Sequence, residues 1–170
     1  MATCFLIDSA TPCAAAVRLA RVRGARLVDC DSLDALPEQI PPDSIIAIEA
    51  AWMREFRRHR SRLLSLVGQG ATLYVRGVAG RARTLDLRPF APIELAIASE
   101  RRAVAYRFTA SRMLPAVLAG EATAGVLLDV PGAERRFDPA VEELLIVRHV
   151  DGVERAAIFA LRYGDGCVIH

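Results

Sequence analysis

The run Asp8-Ser9-Ala10-Thr11-Pro12-Cys13 gathers the groups of this chain best suited to chemistry. Thr11 offers an N-cap and Pro12 fits the first position of a helix, which puts Cys13 in the first turn. There, free backbone N–H groups and the helix dipole favour an anion. The same field lowers the pKa of a thiol. Two chemistries follow: a reactive Cys13 thiolate, or a phosphate or carboxylate held by Ser9, Thr11 and backbone N–H groups. Against the first, Cys13 and Arg18 are spaced C-x4-R, one residue short of the C-x5-R of a phosphatase loop, and no glycine lets the backbone wrap an anion. The plainer reading is a capped helix with a small residue facing a sheet.

Further candidates stand at the ends of apolar runs. Glu49 closes Ser44-Ile45-Ile46-Ala47-Ile48-Glu49 and is followed by Trp52; as an acid/base it could serve a reaction, and as an acceptor it would bind N–H groups at the start of the next helix. Arg76, Arg81 and Arg83 surround a Gly-Val-Ala-Gly turn and could clamp an anion or simply be solvated. His149-Val150-Asp151 could pair an imidazole with an orienting acid, but Asp151-Gly152 is a strong hairpin dipeptide between two apolar runs, and the hairpin is the preferred reading. Arg54, Arg57, Arg58, His59, Arg60 and Arg62 occupy one helical segment whose apolar stripe is Trp52, Phe56 and Leu63. The arginines then form its solvent face. Without interleaved exposed aromatics or Asn, the patch is not read as a nucleic-acid surface.

Composition excludes several classes. All 22 Lys+Arg residues are Arg, which removes Schiff-base, P-loop and general-base lysines. The absence of Lys and Asn points to a GC-rich, bacterial genome. The 4 cysteines, Cys4, Cys13, Cys30 and Cys167, show no C-x-x-C spacing and lie far from the 3 His, so neither a metal site nor a cofactor is expected. Cys4, Cys30 and Cys167 read as small buried hydrophobes. A net charge of +2 gives no strong field toward nucleic acid or membrane. No apolar run approaches the roughly 20 residues of a membrane helix. The opening Met1 to Asp8 reads as a strand and not a signal peptide, which leaves a cytoplasmic location as the default expectation.

The elements that must position these groups alternate. Strands are predicted at Thr3–Ile7, Arg26–Cys30, Ser44–Glu49 and Ala71–Arg76, with helices at Cys13–Val22 and Trp52–Val67 and about one helical turn within Ser32–Ile40. Apolar strands separated by helices indicate a parallel sheet covered on both faces, a flavodoxin-like three-layer sandwich of strand order 2-1-3-4. Ligands of such sheets lie outside the carboxyl ends of the strands, so Asp8, Ser9, Thr11, Cys13, Glu49, Trp52, Arg76 and Arg81 are the expected binding residues. In the second half, Glu94–Ser99 and Val104–Phe108 read as strands around Glu100-Arg101-Arg102, Arg112–Ala119 as a short helix, and Gly125–Val130 as strand-like. Glu143–Val150, Ala156–Tyr163 and Cys167–His170 read as antiparallel edge strands. The whole is expected to be a single α/β domain spanning 1–170. Ending on a strand where a closing helix is usual, it reads as the N-terminal part of a longer polypeptide.

The order of elements resembles the class I glutamine amidotransferase-like superfamily, and more loosely its ThuA-like, non-catalytic branches. The likeness lies in the strand Ser44–Glu49 with its following helix, in Leu64-Ser65-Leu66-Val67-Gly68-Gln69-Gly70-Ala71-Thr72-Leu73-Tyr74-Val75, and in Ile158 to Ile169 with its Gly164-Asp165-Gly166 turn. That family's nucleophilic Cys stands in a G-x-C-x-G elbow after the fourth strand. Here the place reads Arg76-Gly77-Val78-Ala79-Gly80-Arg81, without Cys, Ser or Thr. The family's His-x-Glu pair has only His149 and Asp151 as a counterpart. The resemblance therefore implies a member without amidotransferase activity: a ligand-binding or interaction domain, whose partner is a small anionic ligand or another domain or subunit. Two rivals stand beside it. One is a small hydrolase or transferase using Cys13 as nucleophile or Glu49 as base. The other is an assembly subunit that forms homo-oligomers through an edge strand near Glu143–His170.

Overall fold

The computed structural model describes residues 1–7, 14–49, 53–76, 84–86, 94–100, 102–109, 132–133 and 141–170. In chain order its elements are β1 (Thr3–Ile7), α1 (Ala14–Val22), β2 (Arg26–Cys30), a 3-10 turn (Leu33–Ala35), β3 (Ile45–Glu49), α2 (Met53–Gly68), β4 (Thr72–Arg76), β5 (Thr84–Asp86), β6 (Glu94–Ala96), β7 (Ala103–Phe108), β8 (Val141–His149), β9 (Glu154–Tyr163) and β10 (Gly166–Ile169). The chain is an α/β protein. It divides into two compact units, one made of Met1–Gly80 with Arg162–His170, the other of Arg81–Leu161.

In the first unit the strands lie in the order β2-β1-β3-β4-β10, and neighbours among them pair in parallel. The order 2-1-3-4 expected from the alternation is present. Registered residues of parallel neighbours share a face. Cys4, Ile45, Thr72 and Cys167 form one row and Leu6, Ala47 and Tyr74 the next, with Ile169 level with Tyr74. Phe5, Ile46, Leu73 and Val168 line the other face. All of these side chains are buried, which is why the strands carry unbroken apolar runs instead of an alternating pattern.

Both helices stop by the same device. After α1, the Ala25 N–H donates to the Ala20 carbonyl and the Gly24 N–H to that of Arg21, with Gly24 at φ +61°. After α2, Ala71 and Gly70 donate in the same way to Leu66 and Val67, with Gly70 at φ +108°. These are Schellman motifs, in which glycine takes the left-handed position that a Cβ disfavours. Helix α1 buries Ala16, Leu19 and Ala20 and packs on β1, β2 and β3; α2 buries Leu63, Leu66 and Val67 and packs on β4 and β10.

The second unit is antiparallel. Strand β8 is paired on both sides, with β7 and with β9, and β5 pairs with β6. Leu144, Ile146, Val147, Ala156, Phe159, Ala160 and Leu161 form its core.

Three expectations need correction. Glu94–Ala96 does not form a hairpin with β7; it pairs with Thr84–Asp86, a strand of 3 residues too short to show any periodicity. The final strand is not an antiparallel edge strand, because it runs parallel to β4 inside the first unit; a strand joined to one neighbour by a tight turn is free to run parallel to the other. Nor is Glu143–His170 an open edge: β8 has partners on both sides and β10 is paired to β4. The helix expected at Arg112–Ala119 and the strand at Gly125–Val130 lie outside the described residues. Among the described residues no helix is long and apolar enough to cross a membrane.

Candidate functional site

Parallel alignment brings the carboxyl ends of β1, β3, β4 and β10 to one edge of the first unit. Glu49 and Arg76, the last residues of β3 and β4, are in register with each other there. They share a face and stand one strand spacing apart, roughly 4.8 Å. These are the two sequence-predicted site residues whose position is described. Asp8, Ser9, Thr11, Cys13, Trp52 and Arg81 lie outside the described residues, as does Arg83.

The same edge carries a group that sequence reasoning passed over. Ile169 is level with Tyr74, so His170 follows at the level of Val75, one residue short of Arg76. Burial holds its imidazole at a pKa of about 4, well below the ordinary 6.5, so the ring is neutral at physiological pH. Nothing local announced this. The strand that positions His170 is next to β4 only because the chain returns there, joining Thr72 Oγ1 to Cys167 Sγ at 3.5 Å across 95 residues.

The approach of β10 is fixed by glycines. A Cβ on Gly164 would stand 2.7 Å from the Gly68 carbonyl oxygen, and one on Gly166 would overlap the carbonyl oxygens of Val67 and Ala71. The Asp165 N–H donates to the Gly68 carbonyl at 3.1 Å, and the Cys167 N–H to that of Ala71 at 3.3 Å. Gly164-Asp165-Gly166 is therefore a close backbone contact on the end of α2, and it sets where His170 comes to rest.

The other candidates resolve into structure. Asp151 sits in the hairpin between β8 and β9 and accepts from Arg155 at 3.0 and 2.6 Å and from the Val153 N–H at 3.0 Å. The Arg155 bonds, followed by the Val153 N–H, pull its carboxyl down to about 2. It is committed to the turn. His149 is fully buried beside Gly132, where a Cβ would come within 2.9 Å of the imidazole Cε1. Cys4, Cys30 and Cys167 are buried and form no disulfide. Burial, then Asp29 and Asp31, push the Cys30 thiol upward, away from thiolate chemistry.

The basic face of α2 is also partly structural. Arg62 is not a solvated arginine. Its Nη2 donates to the Leu36 carbonyl and, at 2.7 Å, to that of Pro37, while Nη1 donates to the Leu33 carbonyl at 3.4 Å. His59 and Arg58 approach Asp34 at 3.5 and 3.8 Å. The side of α2 read as a free patch thus fastens the turn that links β2 to β3.

No family model matches this chain, and no curated protein does. Among solved structures it is similar to the exo-beta-1,4-mannosidase Op5Man5 from Opitutaceae bacterium strain TAV5, with 18% identity and a TM-score of 0.41. The match covers 99% of this chain and 30% of that one, so the chain spans less than a third of that protein's length. A superposition this loose carries no information about activity.

Chemically, that edge offers a cation from Arg76, a carboxylate from Glu49 and a neutral imidazole. By register Glu49 and Arg76 share one face of the sheet at this edge, and His170, level with Val75, belongs to the other. Among the described residues no group of three His, Cys, Asp or Glu side chains is placed to hold a metal ion.

Proposed function

We propose that this chain is a non-catalytic ligand-binding domain on a degenerate glutamine amidotransferase-like fold, and that it takes a small anion over the carboxyl ends of β3 and β4. The observation that carries the reading is the registered pair Glu49–Arg76 at the ends of two parallel strands, the location where open α/β sheets hold ligands. The sequence after β4, Arg76-Gly77-Val78-Ala79-Gly80-Arg81, supplies charge and backbone but no side chain able to start nucleophilic chemistry. The reading includes a flavodoxin-like three-layer arrangement. Right-handed crossovers from β1 leftward to β2 and from β3 rightward to β4 send α1 and α2 to opposite faces of the sheet.

The test uses Trp52, the chain's 1 tryptophan, three residues beyond Glu49 in sequence. Inorganic phosphate and small carboxylates are titrated against its fluorescence, and ligand consumption is followed by mass spectrometry. Binding without turnover is expected, weakened about tenfold or more by Arg76→Ala and left within about twofold by Cys13→Ala. Loss of binding in Cys13→Ala, or conversion of the ligand, would overturn the reading in favour of a cysteine-dependent enzyme.

A further inference from the structure

Strand β2 is the outermost of the parallel strands and pairs with β1 on one side. The Arg26 N–H donates to the Ala2 carbonyl at 3.1 Å, so the main-chain groups of Arg26, Val28 and Cys30 turn toward β1. Those of Leu27 and Asp29 turn the other way, because successive residues of a strand send their N–H and C=O groups to opposite sides. Arg26, Leu27 and Asp29 are exposed, and Leu27 is a large apolar side chain with 44% of its surface in solvent. Val22, the last residue of the helix that packs on β2, is exposed as well. Charge is divided along the strand. Arg21, in the last turn of α1, and Arg26 stand at its beginning, and Asp29 and Asp31 at its end; all are exposed.

We propose that this edge is an interface with a second copy of the chain, β2 pairing antiparallel with β2 about a two-fold axis at Val28. Antiparallel pairing sets the basic beginning of one strand against the acidic end of the other, whereas parallel pairing would set like charges together. A two-fold axis normal to the sheet keeps every residue on its own face, so some residue must lie opposite its own copy. With Arg26 or Asp29 at the axis, two like charges are opposed. With Leu27 there, the pairing draws in Ala25, whose N–H is already committed to the Ala20 carbonyl. With Val28 there, Leu27 lies opposite Asp29 of the second copy, and the outward N–H and C=O groups of both residues meet their complements. Leu27 also comes within reach of Leu27 of the second copy diagonally across the axis, which covers the exposed apolar surface. A strand of 5 residues makes a small interface, so the association is weak. It needs no ligand and stands apart from the binding reading above.

The experiment is sedimentation velocity on the full chain without added ligand. A monomer–dimer equilibrium is expected between about 1 μM and 1 mM. Leu27→Glu puts a carboxylate opposite Asp29 of the second copy and is expected to weaken the dimer about tenfold or more. Adding Asp29→Arg to that variant opposes unlike charges and is expected to restore it. Val28→Cys is expected to cross-link two chains through the introduced thiols on mild oxidation, because opposed residues of a non-hydrogen-bonded pair have Cα atoms about 4.5 Å apart, within disulfide range. A parent that stays monomeric up to about 1 mM overturns the inference. So does a dimer that Leu27→Glu leaves unchanged. Should Leu27→Glu unfold the chain, as circular dichroism would show, the cross-link decides: a dimeric Val28→Cys chain that forms no such disulfide overturns the pairing.

Discussion

Protonating His170 costs more in the folded chain than in the unfolded one, because burial strips the imidazolium of its water. The folded value is about 4 and the ordinary one 6.5. Above 6.5 both states are neutral and the full stability is present. As pH falls from 6.5 toward 4 the unfolded chain takes up a proton that the folded chain refuses, and stability declines. Below the folded value both are charged and the decline from this group ends. The loss is of order 3 kcal/mol. Urea denaturation followed through amide exchange in β4 and β10 is expected to show it between pH 7 and pH 4.5. His170→Leu should flatten the difference; equal pH dependence in the two proteins would show that the ring is not buried as described. Asp151 works in the opposite sense: its lowered pKa steadies the β8–β9 hairpin above the ordinary carboxylate range, and that help is lost as pH drops through about 2. At this scale the sequence was informative about type and not about place. Asp151-Gly152 announced a turn through its own chemistry, whereas nothing near His170 in the chain showed which strand it would end beside. Arg62 was misread for the same reason, since its carbonyl acceptors at Leu33, Leu36 and Pro37 come from a turn 25 to 29 residues earlier.

Elements were more legible, because what makes them is local. Thr3–Ile7 and Arg26–Cys30 have in the structure the bounds that their apolar runs implied, and α1 and α2 end at the glycines that mark left-handed stops. Thr84–Asp86 was missed because three residues cannot display a period. The glycines separate into two roles that substitution can distinguish. Gly24 needs only its left-handed backbone, at φ +61° with nothing within 4 Å of an added Cβ. Gly166 is needed for space, since a Cβ there would overlap the carbonyls of Val67 and Ala71. Gly24→Ala is therefore expected to cost about 1 kcal/mol, and Gly166→Ala about 3 kcal/mol or more because backbone on both sides must move. Thermal denaturation of the two variants checks this. Equal losses would mean that the G-x-G turn is an ordinary hairpin, not a contact that registers β10 on β4.

At the scale of the whole molecule, the chain divides into a parallel unit closed by its own last strand and an antiparallel unit formed by the intervening residues. The first division was readable as alternating apolar strands and helices. The return of β10 to β4 was not, because the sequence between carries no signal for which strand it rejoins; a hairpin turn fixes one partner and leaves the other open. Free edges in the described strands carry devices that discourage indiscriminate association. β2 is only five residues long and bears Arg26 and Asp29, and β7 shifts register between Ala103 and Ala105.

The central claim is that β3, β4 and β10 end together, so that Glu49, Arg76 and His170 share one edge. Interstrand nuclear Overhauser effects measure this without any ligand. Amide-to-Hα contacts linking Ile48 with Val75 and Leu73 with Val168, with no strong Hα–Hα contacts between β4 and β10, are the expected result. Strong Hα–Hα contacts between those two strands would mean that they run in opposite directions, which would place His170 at the far end of β4 from Arg76 and contradict the account.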